Sequence, residues 1–83
     1  MTQPSPTIDL NGELIAADAA RISPFDRGFT LGDGIFESLR VRGGQPDFLA
    51  EHLARLRQAA KVLALPLPLD DAEIEARMVR LIA

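Results

Sequence analysis

Cysteine, tryptophan and tyrosine are all missing from this 83-residue chain, and histidine occurs once, at His52. Without cysteine no disulfide can close a small fold, and one histidine does not furnish the several ligands of a structural metal site. Domain sizes peak at roughly 100 to 150 residues, and chains below that range without such staples usually lean on a partner. Docking onto a further polypeptide is therefore expected. Lysine is scarce as well: Lys61 stands alone among nine cations, which face twelve acids to give a net charge of -3 and a pI near 4.9. That balance excludes the clustered basic excess of a nucleic-acid-binding surface. No apolar run approaches the roughly 20 residues that span a bilayer, and residues 1–6 are polar and proline-containing, unlike a signal peptide. A cytoplasmic protein that does not enter membranes is the expectation.

What is present reads as globular, with 47% hydrophobic and 25% charged residues. After a loose start over residues 1–6, a domain is expected from residue 7 to residue 83. Asn11-Gly12 between short apolar stretches predicts a hairpin, because both central residues of a type I′ turn take positive φ. Residues 23–28 predict a turn or one helical turn, with Pro24 near its start and Gly28 ending it. Residues 35–42 alternate, placing Ile35, Glu37, Leu39 and Val41 on one side and Phe36, Ser38, Arg40 and Arg42 on the other, which predicts a strand. Gly43-Gly44 then turns the chain and residues 45–49 return antiparallel, with Pro46 marking an edge or a start.

Two helices follow. Leu49, Leu53, Leu56, Ala60 and Leu63 form an apolar stripe that ends before Pro66 and Pro68. Asp70 and Glu73 form a capping-box pattern ahead of a second stripe made by Ile74, Met78, Leu81 and Ile82. That helix carries no stop signal at residue 83 and reads as interrupted. The fold class expected is α+β, β-hairpins plus two helices.

The glycines at 28, 32 and 34 invite a phosphate-loop reading, but no Lys-Ser or Lys-Thr follows them and a strand rather than a helix comes next. A turn into a strand is the plainer account. His52 and Arg55 lie three apart beside the apolar stripe, and a guanidinium there either grips a phosphate or carboxylate with its forked donors or pairs with a neighbour on the helix. Spacing alone favours the pairing. Phe36, Ser38 and Arg40 offer an apolar wall, a hydroxyl and a cation on one face, suited to a small amino acid or acid and equally to an ordinary solvent face. Glu37, among apolar neighbours on the other face, needs a partner such as Arg27, Arg21 or a backbone N–H, and reads as structural.

Taken in order, Asn11-Gly12, Asp26-Arg27-Gly28, Leu31-Gly32-Asp33-Gly34-Ile35-Phe36-Glu37 and Glu51-His52-Leu53-Ala54-Arg55-Leu56 resemble the opening of class IV (fold-type IV) pyridoxal-phosphate enzymes. That group includes branched-chain aminotransferases, D-amino acid aminotransferases and aminodeoxychorismate lyases. The resemblance implies that this is part of the small N-terminal domain, with the second domain absent, and that Arg55, in the His-x-x-Arg-Leu pattern, binds the phosphate of pyridoxal phosphate. It implies too that Leu31, Phe36, Ser38 and Arg40 border a substrate pocket formed between two domains near a dimer interface, so that the complete enzyme is a homodimer.

In the family the lysine that attaches the cofactor and the glutamate on its pyridine nitrogen come from the second domain, so no catalytic residue is assigned here and the chain alone is expected to be inactive. Lys61, on the polar side of its helix, is no substitute. Leu31 and Ser38 depart from the tyrosine and glycine usual in branched-chain aminotransferases, whereas Phe36 and Arg40 match them. A hydroxyl residue at the Ser38 position resembles the lyases, in which it would help proton transfer as pyruvate leaves. The reading leans to aminodeoxychorismate lyase, with a class IV aminotransferase as the alternative. A freestanding, non-catalytic binding module is the alternative from another class.

Overall fold

The computed structural model describes residues 5–82, so the start expected to be loose lies mostly outside the described residues, as does residue 83. Ser5 and Pro6 are fastened to the residues that follow the hairpin, Ser5 Oγ accepting from Asp18 N at 2.9 Å and the Pro6 carbonyl from Ala17 N at 2.8 Å.

The predicted hairpin forms. Strands β1 (Thr7–Leu10) and β2 (Glu13–Ala16) pair antiparallel with Ile8 opposite Ile15 and Leu10 opposite Glu13. Asn11 and Gly12 take φ of 55° and 94°, the positive values that this turn requires, and the Asp9 carboxylate closes it by accepting from Gly12 N at 2.8 Å. A single 3-10 turn follows at Ala17–Ala19.

The short helical turn sits later than the sequence suggested. Helix α1 spans Arg27–Leu31, capped by Asp26, whose carboxylate accepts from Gly28 N at 3.0 Å, and it ends at Gly32 with φ 73°. Gly28 is therefore inside the helix rather than its stop. The capping carboxylate comes so close that a Cβ on residue 28 would lie 2.8 Å from it, which is why glycine suits that position. Pro24 instead belongs to the preceding turn, closed by Asp26 N donating to the Ser23 carbonyl at 3.1 Å.

The strand expected over residues 35–42 is only partly a strand. Its ladder consists of β3 (Val41–Arg42) paired with β4 (Gln45–Pro46), and the return expected over residues 45–49 stops at residue 46. Among the described residues, the backbone of residues 34–39 forms no hydrogen bond to another backbone group. Alternation nonetheless survives: Ile35, Glu37 and Leu39 are half-buried while Phe36, Ser38 and Arg40 face solvent. Val41, expected inward, is exposed. An alternating pattern needs only one covering layer, and the helix that begins at Leu49 supplies contacts to the inward face through Glu37.

Helix α2 (Leu49–Val62) buries Leu53 and Ala60 and half-buries Leu49 and Leu56, while Leu63 at its end is exposed, contrary to the predicted stripe. It stops before the prolines. Ala64 N donates to the Lys61 carbonyl at 3.2 Å and Leu65 N to the Ala60 carbonyl at 2.9 Å, the two bonds of a Schellman motif, with Ala64 at φ 54°. Leu65, Leu67 and Leu69 then turn inward between the outward Pro66 and Pro68.

Helix α3 (Asp71–Ile82) begins with the predicted capping box, Glu73 N donating to Asp70 Oδ1 at 2.8 Å and Asp70 N to Glu73 Oε1 at 3.1 Å. Ile74, Met78 and Ile82 face inward, but Leu81 is exposed. Arg57 joins the two long helices by donating to Asp71 Oδ1 at 2.6 Å and to the Leu69 carbonyl at 2.8 Å. Arg77 and Arg80 join α3 to the hairpin at Asp9. The architecture is thus α+β: two short antiparallel sheets, two long helices and the brief α1, displaced from the turn or helical turn expected over residues 23–28.

Among the described residues only Leu53 and Ala60 are buried, and twelve large apolar side chains are exposed. Among the described residues no helix is long and apolar enough to cross a membrane.

Candidate functional site

Residues of the extended segment and of α2 meet at Glu37. Its Oε1 accepts from Arg55 Nε at 2.9 Å and lies 2.9 Å from His52 Nδ1. The three-residue spacing of His52 and Arg55 places both on the side of α2 that runs under residues 35–39. Hydrogen bonding from His52, and then from Arg55, holds the Glu37 carboxyl below its usual range against the opposing effect of burial. An ionised carboxylate only accepts, so His52 Nδ1 carries the hydrogen and Nε2 is left open when the ring is neutral. The 3.2 Å approach of Arg55 Nη2 to the same Nδ1 then brings two donors together and is not a hydrogen bond.

Exposure separates the three. Glu37 and His52 each leave 17% of their side chain in solvent, Arg55 68%. Arg55 is thus a cation anchored at Nε with most of its side chain in solvent. That is a donor set matched to a phosphate or carboxylate, and in this respect it fits the phosphate of pyridoxal phosphate.

Of the other residues singled out in the sequence, Phe36 (87% exposed), Ser38 and Arg40 share the outward side of the extended segment. Among the described residues the Ser38 hydroxyl and the Arg40 guanidinium form no hydrogen bond or ion pair. Leu31, the last residue of α1, is exposed in a stretch that is solvent-facing from residue 21 to residue 32. Lys61 is exposed in the last turn of α2.

The partners expected for Glu37 were wrong. Arg27 is taken by Asp33, with Nη2 2.8 Å from its Oδ2, and Arg21 donates to the Ala20 and Asp18 carbonyls. Sequence reading weighed Glu37 and the His52–Arg55 pair separately and missed that they are one cluster. The available signal was that the inward-facing acid on the strand and the two polar residues flanking the helix stripe are the polar groups able to meet across that layer.

The family model for class IV amino-transferases matches residues 34–83, which takes in Phe36, Glu37, Ser38, Arg40, His52 and Arg55 and leaves out Leu31. The chain belongs to the class IV aminotransferase family. This class IV chain is 40% identical over 67 residues to a putative branched-chain-amino-acid aminotransferase of Methanocaldococcus jannaschii, 81% of the chain against 23% of that protein. It is 32% identical over 72 residues to a D-alanine aminotransferase of Bacillus licheniformis, 87% against 25%. With an aminodeoxychorismate lyase of Bacillus subtilis it shares 39% identity over 67 residues, 81% against 23%. The chain spans about a quarter of the length of these curated relatives.

Proposed function

We propose that residues 7–83 are part of the small domain of a class IV enzyme that uses pyridoxal 5′-phosphate to act on an amino-acid-type substrate, with Arg55 holding the cofactor's phosphate. The observation that carries this reading is the state of Arg55, tethered at Nε to Glu37 with most of its side chain in solvent. A guanidinium so placed presents paired donors to an anion at little further conformational cost. Pyridoxal phosphate, when bound, supplies an electron sink for carbanionic charge on the substrate. The residues of this chain bind and orient: Arg55 takes the phosphate, while Phe36, Ser38 and Arg40 line one wall of the substrate site, with Leu31 at its border.

The lysine and the glutamate that act on the cofactor come, in this proposal, from a further domain, and this chain alone is inactive. Lys61 stands exposed on α2 and lacks the desolvated or cation-flanked setting that activates a lysine. The scarcity of buried side chains and the exposure of Phe25, Phe29, Leu31 and Phe36 support docking over a freestanding module, with a cytoplasmic homodimer as the complete form.

For the reaction the reading leans to elimination of pyruvate from 4-amino-4-deoxychorismate to give 4-aminobenzoate. Ser38 supports it: its hydroxyl faces outward and unengaged among the described residues, able to pass a proton as pyruvate leaves. The alternative, amino-group transfer on a D-amino or branched-chain amino acid, is supported by the 40% and 32% identities to aminotransferases. The test is to join the chain to a lysine-bearing class IV domain, confirm cofactor absorbance, and assay pyruvate release beside amino-group transfer. Pyruvate release without transfer supports the lyase; transfer without pyruvate release overturns it in favour of the aminotransferase.

A further inference from the structure

A long side chain that must grip a ligand gives up rotamer freedom when it does so, and Arg55 stands mostly in water, where little packing restrains it. Its restraint is the bond from Nε to Glu37 Oε1, and the same oxygen also accepts from His52 Nδ1, both at 2.9 Å. With Nε committed, the donor pair left for a ligand is the end-on Nη1 and Nη2 edge, which matches two oxygens of a phosphate. We propose that Glu37 is a positioning residue for anion recognition: it fixes the Arg55 guanidinium so that its Nη edge meets a phosphate monoester, and His52 keeps the Glu37 carboxylate in place. This rests on the reading of Arg55 as the phosphate ligand.

Electrostatics alone gives the opposite sign. A carboxylate beside a dianion repels it, so if Glu37 were no more than a counter-ion for Arg55 its removal would tighten phosphate binding. If it positions the guanidinium, removal weakens binding. The direction of the change therefore separates the two roles, and a residue serving the fold alone would change the melting temperature and leave affinity untouched.

The experiment titrates the chain joined to a lysine-bearing class IV domain, free of cofactor, with inorganic phosphate and with pyridoxine 5′-phosphate, which has no aldehyde to react with amines. The arginine Nε–H signal of Arg55 in 15N-edited NMR is followed, with thermal melts in parallel. Glu37→Gln retains an acceptor oxygen of the same reach, and Glu37→Ala removes it. The expected result is saturable movement of the Arg55 signal in the parent chain, affinity about tenfold weaker in Glu37→Ala, and a smaller loss in Glu37→Gln, since one oriented charge-assisted bond is worth roughly a factor of ten. The two ligands separate recognition of the phosphate group from recognition of the pyridine ring. Equal or tighter phosphate binding in both Glu37 variants, with Arg55→Gln still defective, would overturn the positioning role alone. Binding in Arg55→Gln equal to the parent, or no movement of the Arg55 signal with either ligand, would overturn the phosphate-ligand reading beneath it.

Discussion

Arg77 Nη2 donates to Asp9 Oδ1 at 2.7 Å, binding the last helix to the first strand across 68 residues of chain. Arg77 Nε and Arg80 Nη2 reach the other oxygen at 3.3 and 3.2 Å, and Arg80 also donates to the Gly12 carbonyl at 2.8 Å. Hydrogen bonding from Arg77 is the leading cause that lowers the Asp9 carboxyl from 3.8 to about 2, with burial opposing it and Gly12 N and Arg80 assisting. In the unfolded chain the group takes up its proton at the ordinary value, so the stability it confers is fully present above about pH 4 and drains away as pH falls through about 2. Glu37, also held low, loses its contribution below the ordinary carboxylate range in the same sense.

Asp9→Asn should therefore lower the melting temperature at neutral pH and flatten its decline between about pH 4 and pH 2. Thermal melts across that window check it. A variant whose acid profile matched the parent's would remove Asp9 from the account of acid sensitivity.

At the end of α2, Ala64 occupies the left-handed position of a Schellman motif where glycine is the usual residue. The left-handed conformation costs a non-glycine residue about 1–2 kcal/mol, partly offset by the greater freedom of glycine in the unfolded chain. Ala64→Gly should stabilise by about 0.5–1 kcal/mol, read as a rise in the urea midpoint with the slope unchanged. A fall in the midpoint would mean that the turn is held in some other conformation.

Leu53, only 6% exposed, is the larger of the two residues buried among those described. It also lines an open hollow of about 410 Å³ with Leu49, Ala50, Asp71, Ala72 and Glu75. Leucine-to-alanine changes in cores cost about 2–5 kcal/mol, and a site bordering a hollow has room to collapse, so Leu53→Ala should fall near the low end, about 2 kcal/mol. Since a small domain has little stability to lose, denaturant unfolding should shift strongly; an unaltered midpoint would place the folding core elsewhere.

Features specified by near neighbours were legible in the sequence. Asn11-Gly12 sets its own turn through backbone conformation, and Asp70 with Glu73 sets its own cap through two short bonds. At Gly28 the local reading erred because glycine has two uses: here it admits the Asp26 carboxylate, and Gly32 ends the helix. Alternation over residues 35–40 reported facing correctly and pairing wrongly, because a period of two records which side is covered and not whether a second strand lies alongside. The Glu37 cluster was hidden for a related reason. Its partners lie 15 and 18 residues away on another element, and only the crossing of segment and helix joins them.

The central claim is that Arg55 holds the phosphate of the cofactor. The direct measurement is the dissociation constant of pyridoxal 5′-phosphate for the chain joined to a lysine-bearing class IV domain, parent against Arg55→Ala. Loss of a two-bond guanidinium grip predicts affinity about a hundredfold weaker, with the fold retained. A constant within about a factor of two of the parent's would contradict the account.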